Sequence, residues 1–103
     1  MPTISVEVLF WLKGRLGFPD EGRATLDVSI APGDTVGDVL ALLASERPAF
    51  AEHVFDASRG VPYEHVVVLL NRRAVELQGG MAAALADGDE LLLMPGFAGG
   101  QSL

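Results

Sequence analysis

The feature that most constrains this chain is an apolar run that ends at a proline and continues as a strip almost free of side chains. Residues 91–94 read Leu-Leu-Leu-Met, Pro95 follows, and the strip reaches Gly99-Gly100 three residues before the end. Such a run is typical of a buried strand. Glycines contribute little to a core but allow another protein to close tightly around the backbone. The pattern therefore predicts a strand that anchors a narrow tail, with a reach on the order of 20 Å from residue 95 to 100.

Alternation of apolar and polar residues predicts two strands near the start of the chain. Residues 4–12 and residues 24–30 both alternate, and a glycine- and proline-containing loop separates them. We expect the two segments to form a hairpin with a long connection. The inward-facing side chains are predicted to be Ile4, Val6, Val8 and Phe10 in the first strand and Leu26, Val28 and Ile30 in the second.

A helix is predicted to begin at Thr35. The Thr35 hydroxyl can cap the first turn, and Asp38, three residues on, resembles the acidic member of a capping box. Pro48 is expected to end the helix, with a short helical piece over 49–55 and a loop over 56–63. The buried stripe of the helix is expected to contain Val36, Val39, Leu40 and Leu43.

The second half of the chain predicts short elements followed by one strong strand. A wholly apolar strand over 66–70 is followed by a turn over 71–73, a return strand over 74–77 and one helical turn over 81–85. A tight turn at 87–89 leads into the last strand, 90–94. This order predicts an α+β fold, with a mixed sheet of about four to five strands packed on one main helix. The organisation is expected to be a domain over 1–94, a flexible tail over 95–100 and an extension over 101–103.

Composition excludes several classes of function. The chain has no cysteine, which removes disulfides, thiol catalysis and thiolate metal sites. Its only histidines, His53 and His65, lack the spacing of a metal site, so none is expected. A formal net charge of −7, from 14 acidic and 7 basic residues, argues against nucleic-acid and membrane binding. The charge suits a partner protein with a basic face, although acidity that serves only solubility is the alternative.

With this order of elements, the sequence resembles the MoaD/ThiS family of ubiquitin-like sulfur carriers, which have the β-grasp fold, over nearly its whole length. In that fold the first and last strands run parallel at the centre of the sheet. The proline before the glycine pair points to the branch resembling the small subunit of molybdopterin synthase. The motifs that carry the resemblance lie at residues 6–10, 35–40, 68–72 and 85–100.

The resemblance implies a carrier that acts with partner enzymes and is not itself an enzyme. A cytoplasmic setting is expected because the sequence opens with no charged leader and contains no apolar run near 18 residues. An E1-like partner would use ATP to adenylate the carboxylate of Gly100, and a sulfur donor would convert the adenylate to a thiocarboxylate. Phe97, Ala98 and Gly99 would thread into partner tunnels, and the carrier itself would bind no cofactor. Molybdopterin synthesis, through the larger synthase subunit, is the first choice of sulfur acceptor. Thiamin, cysteine or tRNA thiolation, a protein-modifier role and an interaction module with an uncut tail remain alternatives.

Residues 101–103 depart from the family pattern. Only a free α-carboxylate can be adenylated, and here the Gly100 carbonyl is joined to Gln101 in an amide. We therefore expect a processing peptidase to cut between these two residues. If no such cut occurs, the protein is not a carrier.

Strand parity predicts an exposed apolar patch beside the tail. Leu9 and Trp11 share a face with Glu7, and Leu92 and Met94 share a face in the last strand. The family resemblance implies partner docking on Trp11, Ala74 and Met94. The alternative for Trp11 is packing against the loop over 14–22 as a minor core residue.

Overall fold

The computed structural model describes residues 2–9 and 24–96. The helices in this part are α1 (Val36–Glu46), α2 (Pro48–His53) and two 3-10 helices, Val75–Gln78 and Gly80–Ala82. The strands are β1 (Thr3–Val8), β2 (Ala24–Ser29), β3 (Phe55–Asp56), β4 (Val61–Pro62), β5 (Val66–Leu70), β6 (Arg73–Ala74) and β7 (Glu90–Pro95).

The main sheet is mixed and five-stranded, in the order β2-β1-β7-β5-β6. The first and last strands, β1 and β7, lie side by side and parallel, with Ser5 opposite Glu90 and Val8 opposite Leu93. All other neighbours in this sheet are antiparallel. The predicted α+β, β-grasp architecture is therefore confirmed, including the central parallel pair.

Helix α1 begins with the capping box expected from the sequence. The Asp38 amide donates a 3.1 Å hydrogen bond to the Thr35 hydroxyl, and the Thr35 amide donates a 2.9 Å bond to the Asp38 carboxylate. Two backbone donors without partners inside the helix are thereby satisfied. The buried stripe also agrees with the prediction, since Val36, Val39, Leu40 and Leu43 are all at most 3% exposed.

Removing the capping hydroxyl is expected to weaken the fold measurably. Thr35→Ala should lower the free energy of unfolding by about 1 kcal/mol, because the Asp38 amide loses its acceptor. Urea denaturation measures this change. Thr35→Ser is the matched control, since it keeps the hydroxyl, and an alanine variant as stable as the serine variant would contradict the prediction.

A single core joins the buried stripe of α1 to one face of the sheet. Leu91 and Leu93 of β7 are both fully enclosed. Leu93 lies between Val8 of β1 and Val68 of β5. The apolar run at residues 91–94 therefore supplies the central strand of the core.

The predicted return strand over 74–77 is wrong. Pairing with β5 stops after Ala74, and a 3-10 helix follows. The Gln78 amide group donates hydrogen bonds to the carbonyls of Leu70 and Arg73, which hold this 3-10 helix against the β5–β6 hairpin. Gly79, with φ of 110°, then turns the chain through the left-handed region.

Other boundaries also differ from the sequence prediction, among them the helical turn predicted over 81–85, which is a 3-10 helix over Gly80–Ala82. The short helix occupies Pro48–His53, and the predicted loop over 56–63 contains most of a small hairpin formed by β3 and β4. Within this hairpin the Ser58 hydroxyl donates a hydrogen bond to Asp56 and lowers the pKa of that carboxyl. The last strand also extends to Pro95, a buried residue that the sequence placed in the tail.

Candidate functional site

The face of the sheet that points away from the core carries most of the residues singled out for partner docking. We call it the outer face. One row crosses all five strands on this face, because the strand registers align the side chains. The row reads Thr25, Glu7, Leu92, Leu69 and Ala74.

Beside this row lies a second, wholly apolar row that ends near the tail. Met94 is opposite Val67 of β5. The Leu9 amide donates a 2.9 Å hydrogen bond to the Leu93 carbonyl, so the parallel register of β1 with β7 continues and places Leu9 opposite Met94. Val67 is 36% exposed and Met94 is half-buried. The outer apolar patch, as we define it, comprises Leu9, Val67, Leu69, Ala74, Leu92 and Met94.

The structure therefore brings together Leu9, Leu92, Met94 and Ala74 of the predicted docking residues. Ala74 joins the others through Leu69. Trp11 lies outside the described residues, and the docking role of all five stays a prediction. Sequence reasoning missed Val67 and Leu69, because a wholly apolar strand shows no alternation that would separate its outer side chains from its inner ones.

The opposite end of the outer face is polar and charged. Asp27, Ser5 and Glu90 align across three strands. Arg72, at the tip of the β5–β6 hairpin, lies 3.5 Å from the Glu90 carboxylate. The sequence placed Glu7 on this face, and the structure leaves only 9% of it exposed, at the border between the polar end and the apolar patch. The outer face thus changes from polar to apolar toward the tail.

The tail root, which we define as Pro95 and Gly96, is tied to the start of β5. Pro95 pairs with Val66, and the Gly96 amide donates a hydrogen bond to the His65 carbonyl. A Cβ at Gly96 would lie 3.1 Å from a Val67 methyl group, so the glycine allows the outer patch to continue up to the tail. From Gly96 to Gly100 an extended backbone reaches on the order of 15 Å, which is less than the reach from residue 95.

The segment that accepts the Gly96 hydrogen bond also carries a stacked pair of rings. The Tyr63 and His65 rings stack with centroids 5.9 Å apart. The His65 Nε2 atom lies 2.9 Å from the His53 carbonyl, and the Tyr63 hydroxyl donates a 2.7 Å bond to the Ala51 carbonyl. The two hydrogen bonds attach residues 63–65 to the end of α2, and the His65 carbonyl in this segment accepts the Gly96 hydrogen bond. No sequence signal pointed to them, because they join residues 12 apart.

The reactive residues expected in the tail, Phe97, Ala98, Gly99 and Gly100, lie outside the described residues, and their roles stay predictions. Within residues 2–9 and 24–96, no group of three or more acidic or histidine side chains is placed to hold a metal ion. In the same ranges, no helix has the length and apolar character needed to cross a membrane. The distinctive features of the described part are therefore a surface, the outer apolar patch, and the tail root beside it.

A model of the ThiS family matches residues 19–100. The chain belongs to this family of ubiquitin-like sulfur carriers. Among its relatives, the sulfur carrier protein CysO of Mycobacterium tuberculosis is 37% identical over 71 residues, covering 68% of this chain and 76% of CysO. Small archaeal modifier protein 1 of Haloferax volcanii is 39% identical over 79 residues, covering 77% of this chain and 85% of that protein.

Solved structures agree with this membership. The crystal structure of H. volcanii small archaeal modifier protein 1 superposes with a TM-score of 0.73 at 30% identity, covering 94% of this chain and 100% of that one. A putative molybdopterin converting factor subunit 1 from Pyrococcus furiosus gives a TM-score of 0.69 at 19% identity, covering 94% and 100%, which shows the shared fold alone. The family consists of small carriers and modifiers that act with activating enzymes, and its members are not enzymes themselves.

Proposed function

We propose that this protein is a sulfur carrier whose reactive group is the carboxylate of Gly100, released when residues 101–103 are removed. The observation that carries the proposal is the extent of the ThiS match, which ends at Gly100 and leaves Gln101-Ser102-Leu103 outside. The 37% identity to a sulfur carrier protein supports the same role. A peptidase that cuts after Gly100 would supply the free carboxylate.

The chemistry asks little of the carrier beyond its terminus. A carboxylate is a poor electrophile, so an E1-like partner first joins it to the α-phosphate of ATP, with release of pyrophosphate. A sulfur nucleophile then attacks the acyl-adenylate and displaces AMP. If the nucleophile is the outer sulfur of a donor persulfide, the product is an acyl disulfide, and a second thiol then attacks the donor sulfur, which releases the thiocarboxylate of Gly100 and leaves the donor as a disulfide. The carrier needs no thiol of its own, in keeping with a chain that contains no cysteine.

The outer apolar patch is the surface we assign to the partners. The patch runs up to the tail root, since a Cβ at Gly96 would lie 3.1 Å from a Val67 methyl group. A partner that covers the patch therefore meets the tail where it leaves the sheet. Partly exposed apolar side chains grouped in this way are typical of protein-binding sites. Glu90, opposite Ser5 at the polar end of the outer face, adds an acidic residue at the margin that suits a basic partner surface.

Truncating Met94 is expected to weaken binding to the activating enzyme without loss of fold. Met94→Ala should raise the Kd at least about tenfold, the effect of a moderate interface hot spot. Isothermal titration calorimetry with the activating enzyme measures the change, and thermal unfolding of the free carrier checks the fold. Val61→Ala is the matched control, because Val61 is similarly apolar and 37% exposed but lies in the separate β3–β4 hairpin. Equal effects of the two substitutions would exclude the patch as the docking surface.

For the sulfur acceptor we propose the larger subunit of a molybdopterin synthase, on the basis of the proline before the glycine pair. Thiamin, cysteine and tRNA thiolation systems are the alternatives to be tested beside it. The thiocarboxylate form of residues 1–100 should be offered to one acceptor enzyme of each class. Loss of sulfur from the carrier, measured by intact mass, identifies the acceptor.

A protein-modifier role is the second candidate, favoured by the similarity to small archaeal modifier protein 1 in both sequence and structure. In that role the activated Gly100 would form an isopeptide bond with a lysine of another protein. The two roles use the same activated terminus and differ in the nucleophile. Intact mass of the carrier after incubation with ATP, activating enzyme and sulfur donor should show exchange of one oxygen for one sulfur. Higher-mass conjugates without that exchange would favour modification instead.

A further inference from the structure

The strand β2 forms one edge of the main sheet, and half of its backbone groups point away from the sheet. The Ile30 amide donates a hydrogen bond to the Pro2 carbonyl. Since hydrogen-bonded positions alternate along an antiparallel pair, every second residue of β2 counted back from Ile30 bonds to β1. The residues of β2 that bond to β1 are therefore Ala24, Leu26 and Val28. The N–H and C=O groups of Thr25, Asp27 and Ser29 are directed outward.

This edge is open in the part of the chain that the structure describes. Thr25, Asp27 and Ser29 are all exposed, and no described residue pairs with β2 on this side. Edge strands in natural proteins are usually protected by proline, lysine, a bulge or a covering segment. The β2 sequence, Ala-Thr-Leu-Asp-Val-Ser, has neither proline nor lysine, and its pairing with β1 runs without a bulge. The single charge on this six-residue edge is Asp27.

We propose that the β2 edge accepts an extended segment of a partner protein as a sixth strand, with a lysine or arginine of that segment opposite Asp27. The outward backbone groups supply the hydrogen bonds, which give affinity for any extended chain. Asp27 favours a segment with a basic residue opposite it, because opposite charges on paired strands stabilise each other and like charges do not. On the other face, apolar residues of the added strand would cover Leu26, which is half-buried.

Charge disfavours a second copy of this chain as the occupant. The antiparallel register that uses all three outward residues of two β2 edges, Thr25, Asp27 and Ser29, would place Asp27 directly opposite its own counterpart. Each chain also carries a net charge of −7, so the approach of two copies is repulsive over a longer range. A basic, extended segment of a different protein avoids both penalties.

The β2 edge is separate from the surface assigned to the activating partner. Strand β1 lies between β2 and β7, so the edge is about 10 Å from the strand that carries the tail. A segment added at β2 leaves the outer apolar patch and the tail root uncovered. The inference therefore does not depend on sulfur transfer, and its test uses no activating enzyme.

Amide hydrogen exchange of the full chain tests the proposal with a synthetic peptide. The probe is the end-blocked peptide Val-Thr-Val-Lys-Val-Thr-Val, and the control has Glu in place of Lys. At millimolar concentration the lysine peptide should slow exchange at Thr25, Asp27 and Ser29. The amides of Leu26 and Val28, which already bond to β1, should change little. The glutamate peptide should bind at least about threefold more weakly, the ratio expected from cross-strand charge pairing.

Two variants separate the backbone and charge contributions. Thr25→Pro removes an outward N–H to which no residue in 2–9 or 24–96 is bonded, and a proline is tolerated at such an edge position. It should abolish peptide binding, whereas Thr25→Val should retain it. Asp27→Lys should reverse the preference and select the glutamate peptide. The proposal is overturned if no amide of β2 is protected, if the two peptides bind the wild-type chain equally, or if the chain alone protects this edge by self-association.

Discussion

Replacing Leu93 by alanine is expected to lower the free energy of unfolding by about 2–5 kcal/mol. Leu93 has no solvent exposure and lies between Val8 and Val68 at the centre of the core. The loss combines the transfer free energy of the missing side-chain atoms with the cavity that they leave. Since domains of this size are stable by only roughly 5–15 kcal/mol, the variant should unfold at a much lower urea concentration.

The neighbouring residue provides a matched control. Leu92 is the same amino acid one position earlier, but the pleat places it on the outer face, where it is half-buried. Leu92→Ala should cost about 1 kcal/mol or less, because only part of its surface is removed from water on folding. The same variant should bind the activating enzyme more weakly. Equal losses of stability in the two variants would contradict the assignment of the two faces of β7.

Strand parity and local capping account for the parts of the fold that the sequence predicts well. Both signals depend on residues within four positions of each other, as in the Thr35 capping box and the alternation around Val6 and Val8. The parallel pairing of β1 with β7 cannot be read from such signals. It came from the resemblance of the element order to the β-grasp fold, and the register confirms it.

The features that the sequence did not predict depend on contacts between distant or very short segments. The Gln78 side chain bonds to the Leu70 carbonyl, eight residues earlier, and so joins the 3-10 helix to the β5–β6 hairpin. Strands β3 and β4 have two residues each, too few for alternation to appear. Glu7 is nearly enclosed on a face expected to be outward, where it lies between Thr25 of β2 and Leu92 of β7.

The candidate site was predicted in part for the same reason. Parity placed Leu9, Leu92 and Met94 on one face, but only the register with β5 adds Val67 and Leu69 between β7 and Ala74. The link from Gly96 to His65 also lies outside sequence reasoning, because it requires the position of β5 beside β7. Because of that link, the tail leaves the sheet after Gly96, whereas the sequence prediction began the tail at residue 95.

The length of the tail beyond this root is expected to decide activity almost completely. With ATP and the activating enzyme, residues 1–100 should form the acyl-adenylate, whereas the full chain should form none, because its Gly100 carbonyl is an amide. A chain ending at Gly99 keeps a free glycine carboxylate but is shorter by about 3.3–3.6 Å. Since misplacement of a reacting group by about 1 Å can cost 100-fold in rate, this chain should react at least about 100-fold more slowly.

Pyrophosphate release measures adenylation in each of these chains, and calorimetry measures docking separately. All three should bind the activating enzyme through the outer apolar patch with similar Kd. A difference in adenylation rate without a difference in Kd would locate the effect at the terminus. Gly100→Ala in the 1–100 chain tests the need for glycine at unchanged length. It should slow adenylation, because the proposed threading of the tail leaves little room for an added Cβ. If the full chain is adenylated as fast as residues 1–100, Gly100 is not the reactive terminus. With the Gly96 amide bonded to the His65 carbonyl, the proposed role of Gly100 predicts a partner active site within the reach of the four residues that follow Gly96.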